Sequence, residues 1–250
     1  MAIKIVFHGD LKGLVSIPLI DNGTIIHNSD RNASVKDMIE ALGVPHTEIG
    51  RIEANGEEVS FSYQVKTKDR LDVYALDAPV DFSIPSLLRP EPLYEIRFLA
   101  DVNVGRLAIL LRMVGMDTAY KNGLSDAELA EISSIEKRIL LTRDTRLLKR
   151  SKVIFGHLVR ETVPLRQLAE IVNLFNLTCR LSPFTRCLVC NSVLEPIEKD
   201  KIIYRLEPLT KRYYDTFYLC PGCDRIYWPG SHKIKMEEML RSIRTVRQNR

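Results

Sequence analysis

Apolar and polar residues alternate with a two-residue period at four places in the first 78 residues: Ile3 to Phe7, Thr24 to His27, Gly50 to Ala54 and Leu71 to Leu76. This is the pattern of strands buried on one face. One helical stretch, Ser34 to Leu42, lies among them. Ser34-Val35-Lys36-Asp37 opens it like a capping box, and Gly43 is a natural stop. Asn55-Gly56 reads as a tight turn between strands. Strands, one helix and further strands in this order predict a β-grasp module over residues 1–78. His46, following Pro45, reads as a loop histidine and not a ligand, because an isolated histidine lacks the partners a metal needs. Residues 79–93 hold Pro79, Pro85, Pro90 and Pro92, which keep the backbone extended and exclude regular helix. They are expected to be a linker.

From Tyr94 the pattern changes. Continuous apolar runs, as in strands buried on both faces, alternate with helical spacing up to about residue 180. Phe98-Leu99-Ala100 ends at Asp101, and Val104, Leu107, Ala108 and Leu111 then repeat as a helix up to Gly115. Arg138 to Thr142 is a second buried run, ending at Arg143 and Asp144 before Leu147 and Leu148. Met116 to Tyr120 and Val153 to Leu158 are two further candidate strands. Ser125-Asp126-Ala127-Glu128 opens a helix through Leu129, Ile132 and Ile135, and Leu165 to Leu177 is another. The expected fold is an α/β, Rossmann-like parallel sheet over residues 94–180. In such sheets the active site lies beyond the carboxyl ends of the strands.

Asp101, Asp126 and Asp144 would then share one rim. Three carboxylates on one rim repel one another unless a cation lies among them, and hard ions such as Mg2+ or Mn2+ take oxygen ligands. A plainer reading stands beside this one. Asp126 and Glu128 occupy the first turn of a helix after Ser125, where acids complete a capping box, and Asp144 can serve as an N-cap. Arg143 is a candidate phosphate contact or a partner of the carboxylates, and Asn103 a candidate holder of metal-bound water or a helix cap.

The last section, residues 181–250, carries Cys187-Leu188-Val189-Cys190 and Cys220-Pro221-Gly222-Cys223. Two Cys-x-x-Cys knuckles supply the four thiolates of a closed, structural Zn2+ site. The 29 residues between them would be filled by strands at Lys201 to Leu206 and Thr216 to Leu219, as in a zinc ribbon. Disulfides are the competing reading, disfavoured in a reducing compartment. Cys179 lacks a partner in this pattern and is expected to be buried. Tyr227 to His232 places Trp228, the only tryptophan, near His232. Its ring either packs on the ribbon or stacks on an unpaired base. Lys235 to Arg247 predicts an amphipathic helix with Met236, Met239, Leu240, Ile243 and Val246 on one stripe and Arg241, Arg244 and Arg247 on another.

Charge sharpens this picture. The net charge of +4 hides a gradient, because residues 1–80 carry 8 Lys and Arg against 12 Asp and Glu, whereas residues 180–250 carry 14 against 8. A basic end fits a polyanion such as RNA, with Arg106, Arg112 and Arg143 as the alternative surface. No apolar run reaches the roughly 20 residues of a membrane span. The alternating start at Ile3 to Phe7 does not resemble a secretory leader, so the expected location is cytoplasmic.

These motifs together resemble one family. Phe98 to Tyr120 with Ser125-Asp126, RILLTRD at Arg138 to Asp144, RCLVCN at Arg186 to Asn191 and YWPGSH at Tyr227 to His232 are similar to the Mut-seven C-terminal RNase family, a PIN-like nuclease domain fused to a zinc ribbon. ALGVPHTEI at Ala41 to Ile49 and Asn55-Gly56 resemble the ubiquitin-like, sulfur-carrier-like domain that precedes it. The resemblance implies that Asp101, Asp126 and Asp144 are the catalytic acids of a Mg2+- or Mn2+-dependent ribonuclease. A fourth acid lacks a clear match, with Glu128 and Glu161 as candidates. The Val73 to Ala78 end lacks the Gly-Gly that carriers use for conjugation, so carrier activity is not expected. RNA, structured RNA such as tRNA included, is the expected partner, with no membrane and no small-molecule cofactor. The rivals are a structured-RNA binding protein with weak or silent catalysis, and an interaction adaptor built on the β-grasp module.

Overall fold

The computed structural model describes residues 2–28 and 33–230. The predicted helix from Lys235, and with it His232, Arg241, Arg244 and Arg247, lies outside the described residues. In chain order the elements are β1 (Ala2–Phe7), β2 (Thr24–Asn28), α1 (Val35–Ala41), β3 (Ile49–Ala54), β4 (Glu57–Glu58), β5 (Arg70–Ala75) and β6 (Phe98–Ala100). They continue with α2 (Gly105–Met113), β7 (Thr118–Ala119), α3 (Asp126–Ile135), β8 (Ile139–Thr142), α4 (Thr145–Leu148), β9 (Gly156–Leu158) and α5 (Pro164–Leu174). The last are β10 (Glu195–Ile197), α6 (Lys199–Ile202), α7 (Pro208–Tyr213), β11 (Phe217–Leu219) and β12 (Ile226–Tyr227). The chain divides into two compact units, residues 1–103 with 121–159, and residues 104–120 with 160–250.

In the first unit a five-stranded sheet has the order β2-β1-β5-β3-β4, with β1 parallel to β5 and the other neighbours antiparallel. Ile3, Ile5 and Phe7 of β1 point inward onto Val35, Met38 and Ile39 of α1, so period 2 on the strand meets the apolar stripe of the helix. Ser34 caps α1 by accepting the Asp37 backbone N–H. Gly43 ends the helix at φ +111°, where a Cβ would lie 2.6 Å from the Leu14 carbonyl, so only glycine fits. This is the ubiquitin-like β-grasp arrangement. The Asn55-Gly56 turn joins β3 to β4 with both φ angles positive.

The same unit holds β6, β8 and β9 in parallel, with β8 in the middle. Their residues are all buried, which explains why they read as continuous apolar runs and not as alternations. Residues 79–93 form no helix or strand, as their prolines require. They are nevertheless packed: Val80, Phe82, Leu88 and Leu93 are buried, and Phe82 lies 5.0 Å from the Phe155 ring. Arg89 is buried with them and donates to the carbonyls of Ile49 (2.9 Å), Thr47 (3.0 Å) and His46 (3.3 Å). Burial brings its pKa down to about 10, so it remains charged at neutral pH. His46, expected as a plain loop residue, is buried between Glu40 and the Val153 carbonyl.

In the second unit α2 packs on α5, and β10, β11 and β12 form an antiparallel sheet beside the cysteines. Three expectations need correction. Lys201 to Leu206 is not a strand: α6 and the 3-10 turn Ile203–Arg205 occupy it, because Ile202 and Leu206, four residues apart, bury one helical stripe. Cys179 is exposed, since it lies in the 3-10 turn Leu177–Arg180 whose inward residue is Leu177. Arg112 is not a surface cation. It is 3 % exposed and donates to the carbonyls of Thr118, Leu188 and Val189.

Candidate functional site

The parallel pairing of β6 with β8 sets Ala100 beside Leu141, so the residues that follow these strands emerge at one sheet edge. Asp101 is 7 % exposed there. Its Oδ1 accepts the Val102 backbone N–H, and its Oδ2 accepts from Asn103 Nδ2 (2.6 Å) and from the Thr142 hydroxyl (2.7 Å). Thr142 Oγ1 in turn accepts the backbone N–H of Asp144 at 3.0 Å. The Thr142 hydroxyl therefore joins the Asp101 carboxylate to the start of the Asp144 turn. Asn103 Oδ1 accepts the Arg143 backbone N–H at 3.1 Å and closes the same network. Sequence reasoning missed Thr142 as a site residue, although its place as the last residue of the apolar run was visible.

Asp144 caps α4, its Oδ1 accepting the Arg146 N–H at 2.7 Å, with Arg146 Nε 3.7 Å away. Asp126 opens α3 and faces Arg150 at 3.8 Å. Ser125 and Glu128 form a complete capping box, with Glu128 Oε2 accepting both the Ser125 N–H and its hydroxyl at 2.7 Å. Those hydrogen bonds hold the Glu128 carboxyl below its ordinary range. The Asp101 carboxylate is thus joined through Thr142 to the backbone N–H of Asp144, whose own carboxylate caps α4, whereas Asp126 is engaged by Arg150. Arg143 is exposed at this edge. Glu161 belongs to the second unit, where its backbone N–H is held by Glu170.

Among the described residues, one group of three or more His, Cys, Asp or Glu side chains brings its ligand atoms within 4.8 Å of one another: Cys187, Cys190, Cys220 and Cys223; Asp101, Asp126 and Asp144 do not form such a group. The Sγ atoms lie 3.4 Å apart for Cys187 and Cys223, 3.3 Å for Cys190 and Cys220, and 3.5 Å for Cys220 and Cys223. A disulfide has its sulfurs at about 2.0 Å. A tetrahedral ion with Zn–S bonds of about 2.3 Å sets them about 3.8 Å apart, so the quartet fits such an ion. Cys187 Sγ also receives the Tyr227 hydroxyl at 3.1 Å and the Cys190 backbone N–H. Burial pushes the Cys187 thiol up, but these donors outweigh it and bring it down to about 6. Burial and the neighbouring sulfurs raise Cys220 and push Cys223 up to about 12.

The first knuckle is held by side chains that its spacing did not announce. Arg112 reaches from α2 to the Leu188 and Val189 carbonyls. Asn191 accepts the Thr118 N–H and donates to Asp117, which also faces Arg186 at 3.3 Å. Trp228 is 36 % exposed, its ring 6.3 Å from Phe217.

A β-grasp module, an α/β region with acids after two of its parallel strands and a four-cysteine module make up a multidomain protein. Residues 96–240 match the model of the Mut7-C RNAse domain, and residues 1–81 match the model described as Mut7-C ubiquitin. The first match spans more than half of the chain, and the chain belongs to the Mut7-C RNAse domain family. Among solved structures, SAMP1 from Haloferax volcanii is similar to it at 17% identity with a TM-score of 0.25, over 31% of this chain and 98% of that one. No curated protein matches. No helix among the described residues is long and apolar enough to cross a membrane.

Proposed function

We propose that this protein is a metal-dependent ribonuclease that acts in the cytoplasm, with Asp101, Asp144 and Asp126 as its acidic residues and a zinc ribbon as a structural module. The observation that carries the reading is the Asp101–Thr142–Asp144 network at the carboxyl edge of β6 and β8. It supports an oxygen-rich site at the edge where α/β enzymes work. The Asp101 and Asp144 carboxylates suit a hard divalent cation, Mg2+ or Mn2+. Such a cation, when bound, would supply Lewis acidity and make its bound water more acidic than bulk water. Thr142 and Asn103 hold the Asp101 carboxylate in one orientation, and the exposed Arg143 offers a contact for phosphate. The domains read in the sequence, residues 1–78, 94–180 and 181–250, serve respectively as an accessory module, the catalytic part and the RNA-holding part.

The test is cleavage of mixed cellular RNA with Mg2+ or Mn2+, by the wild type and by Asp101→Asn and Asp144→Asn. Each variant should lose cleavage and keep its RNA affinity, since removing a carboxylate also lowers repulsion toward phosphate. Full turnover in either variant, with contaminating nuclease excluded, sinks the assignment. A second reading, a structured-RNA binding protein with weak catalysis, is favoured by Asp126 facing Arg150 and by Asp144 acting as a cap. It expects tight binding of tRNA or ribosomal RNA, no metal-dependent cleavage, and Asp126→Asn acting on stability alone.

A further inference from the structure

The second unit contains a cavity of about 500 Å³ whose walls include Trp228, Tyr214, Phe184, Met113 and Thr210. We propose that it receives an unpaired nucleobase of single-stranded RNA, a reading that rests on the ribonuclease proposal and gives it a substrate feature. Three observations point to this occupant. The walls are largely aromatic and apolar, and base faces stack on such rings in any sequence. Among the described residues, the Thr210 hydroxyl, the Tyr214 hydroxyl and the Trp228 indole N–H make no hydrogen bond, and Thr210 is buried. A base edge carries the acceptors and donors these groups lack. Finally, Lys211 and Arg212 on α7 and Arg225 before β12 lie within two residues in sequence of the lining residues Thr210, Tyr214 and Ile226, and none of the three has an ion pair among the described residues, Arg212 lying over the Tyr213 ring. A nucleotide brings its phosphate along with its base, so apolar walls with cations close by in sequence match both halves of it. A plain apolar ligand would leave the cations and the three polar groups unused.

Trp228 is the only tryptophan in the chain, so its emission reports on this wall alone. The experiment titrates full-length protein carrying Asp101→Asn with a single-stranded oligoadenylate and, separately, with an abasic ribose-phosphate chain of equal length. Oligoadenylate should quench Trp228, and the abasic chain should bind through charge without quenching. Thr210→Val with Tyr214→Phe, checked for folding by circular dichroism, should raise the oligoadenylate Kd about tenfold, as expected for the loss of two modest hydrogen bonds, at an unchanged salt slope. No quenching by oligoadenylate, equal quenching by the abasic chain, or an unchanged Kd in the double variant overturns the pocket. Cleavage does not enter this readout. Quenching with no metal-dependent cleavage by the wild type therefore sinks the nuclease reading alone, and cleavage without quenching sinks the pocket alone.

Discussion

Thr142 shows how one hydroxyl can order an acidic edge. It donates to Asp101 Oδ2 and accepts from the Asp144 N–H and from Asn103 Nδ2, so Thr142→Val removes all three bonds with little change in volume. The half-buried Asp144 backbone donor and part of the buried Asp101 carboxylate then lose their partners, which costs about 1 to 3 kcal/mol. Urea unfolding should show that loss, and Thr142→Ser should restore most of it; equal stability of the Val and Ser variants would mean that water replaces the hydroxyl. Asp69 gives a second prediction at this scale. Burial raises its pKa, but the Lys66 backbone N–H, Asn55 and the Tyr63 hydroxyl outweigh that and hold it below the ordinary carboxylate value. A depressed folded pKa means that the unfolded chain takes up the proton first. The contribution of Asp69 is therefore complete above the unfolded value and is lost as pH falls through the folded one. Stability measured by urea across the acid range should fall less steeply in Asp69→Asn than in the wild type.

At the scale of the element, the start of α3 separates capping from chemistry. Ser125 and Glu128 satisfy each other and the first backbone donors. Ser125→Ala should lower stability by about 1 kcal/mol. Glu128→Gln should leave RNA cleavage unchanged, because its carboxylate is engaged within the box; a large drop in turnover at unchanged stability would instead make it the fourth acid. The segment from Lys199 to Arg205 shows the limit of pattern reading over short windows. Ile202, Ile203 and Leu206 fit a strand and a helix equally in sequence, and packing against Phe217 in the ribbon decided for the helix. Residues 79–93 make the complementary point, since prolines forbid regular structure there but do not forbid burial. Arg89 binds three carbonyls and makes that segment part of the first unit's interior.

Across the whole molecule, the cysteine module of the second unit depends on a different cohesive force from the β-grasp module of the first. The first contains a large apolar cluster shared by the β-grasp sheet and α1. Around the second unit's cysteines the buried cluster is small: Cys187, Leu194 and Cys220, with Tyr218, Cys223 and Tyr227 against them. Small cores of this kind ordinarily need a metal. Elemental analysis should find one zinc per chain, and a chelator should shift Trp228 emission and lower the melting temperature of the part it reports on. The β-sheet signal of the first unit should persist under the same treatment. A melting curve and zinc content unchanged in Cys187→Ser would remove the site.

The sequence by itself determined what is local: the period-2 strands of the β-grasp module, the α1 boundaries at Ser34 and Gly43, the buried runs of β6 and β8, and the pairing of cysteines into knuckles. These follow from backbone geometry and nearest neighbours, which a short window contains. The tertiary structure alone decided what depends on partners far along the chain. Cys187 meets Cys223 and Tyr227 across some forty residues, Arg112 grips the first knuckle from α2, and Asp101 finds Thr142 only because β6 and β8 pair in one register. A long-range hydrogen bond leaves no periodicity in sequence. Its partners are chosen by sheet register and by the need to satisfy every buried polar group, and both exist only once the chain has packed.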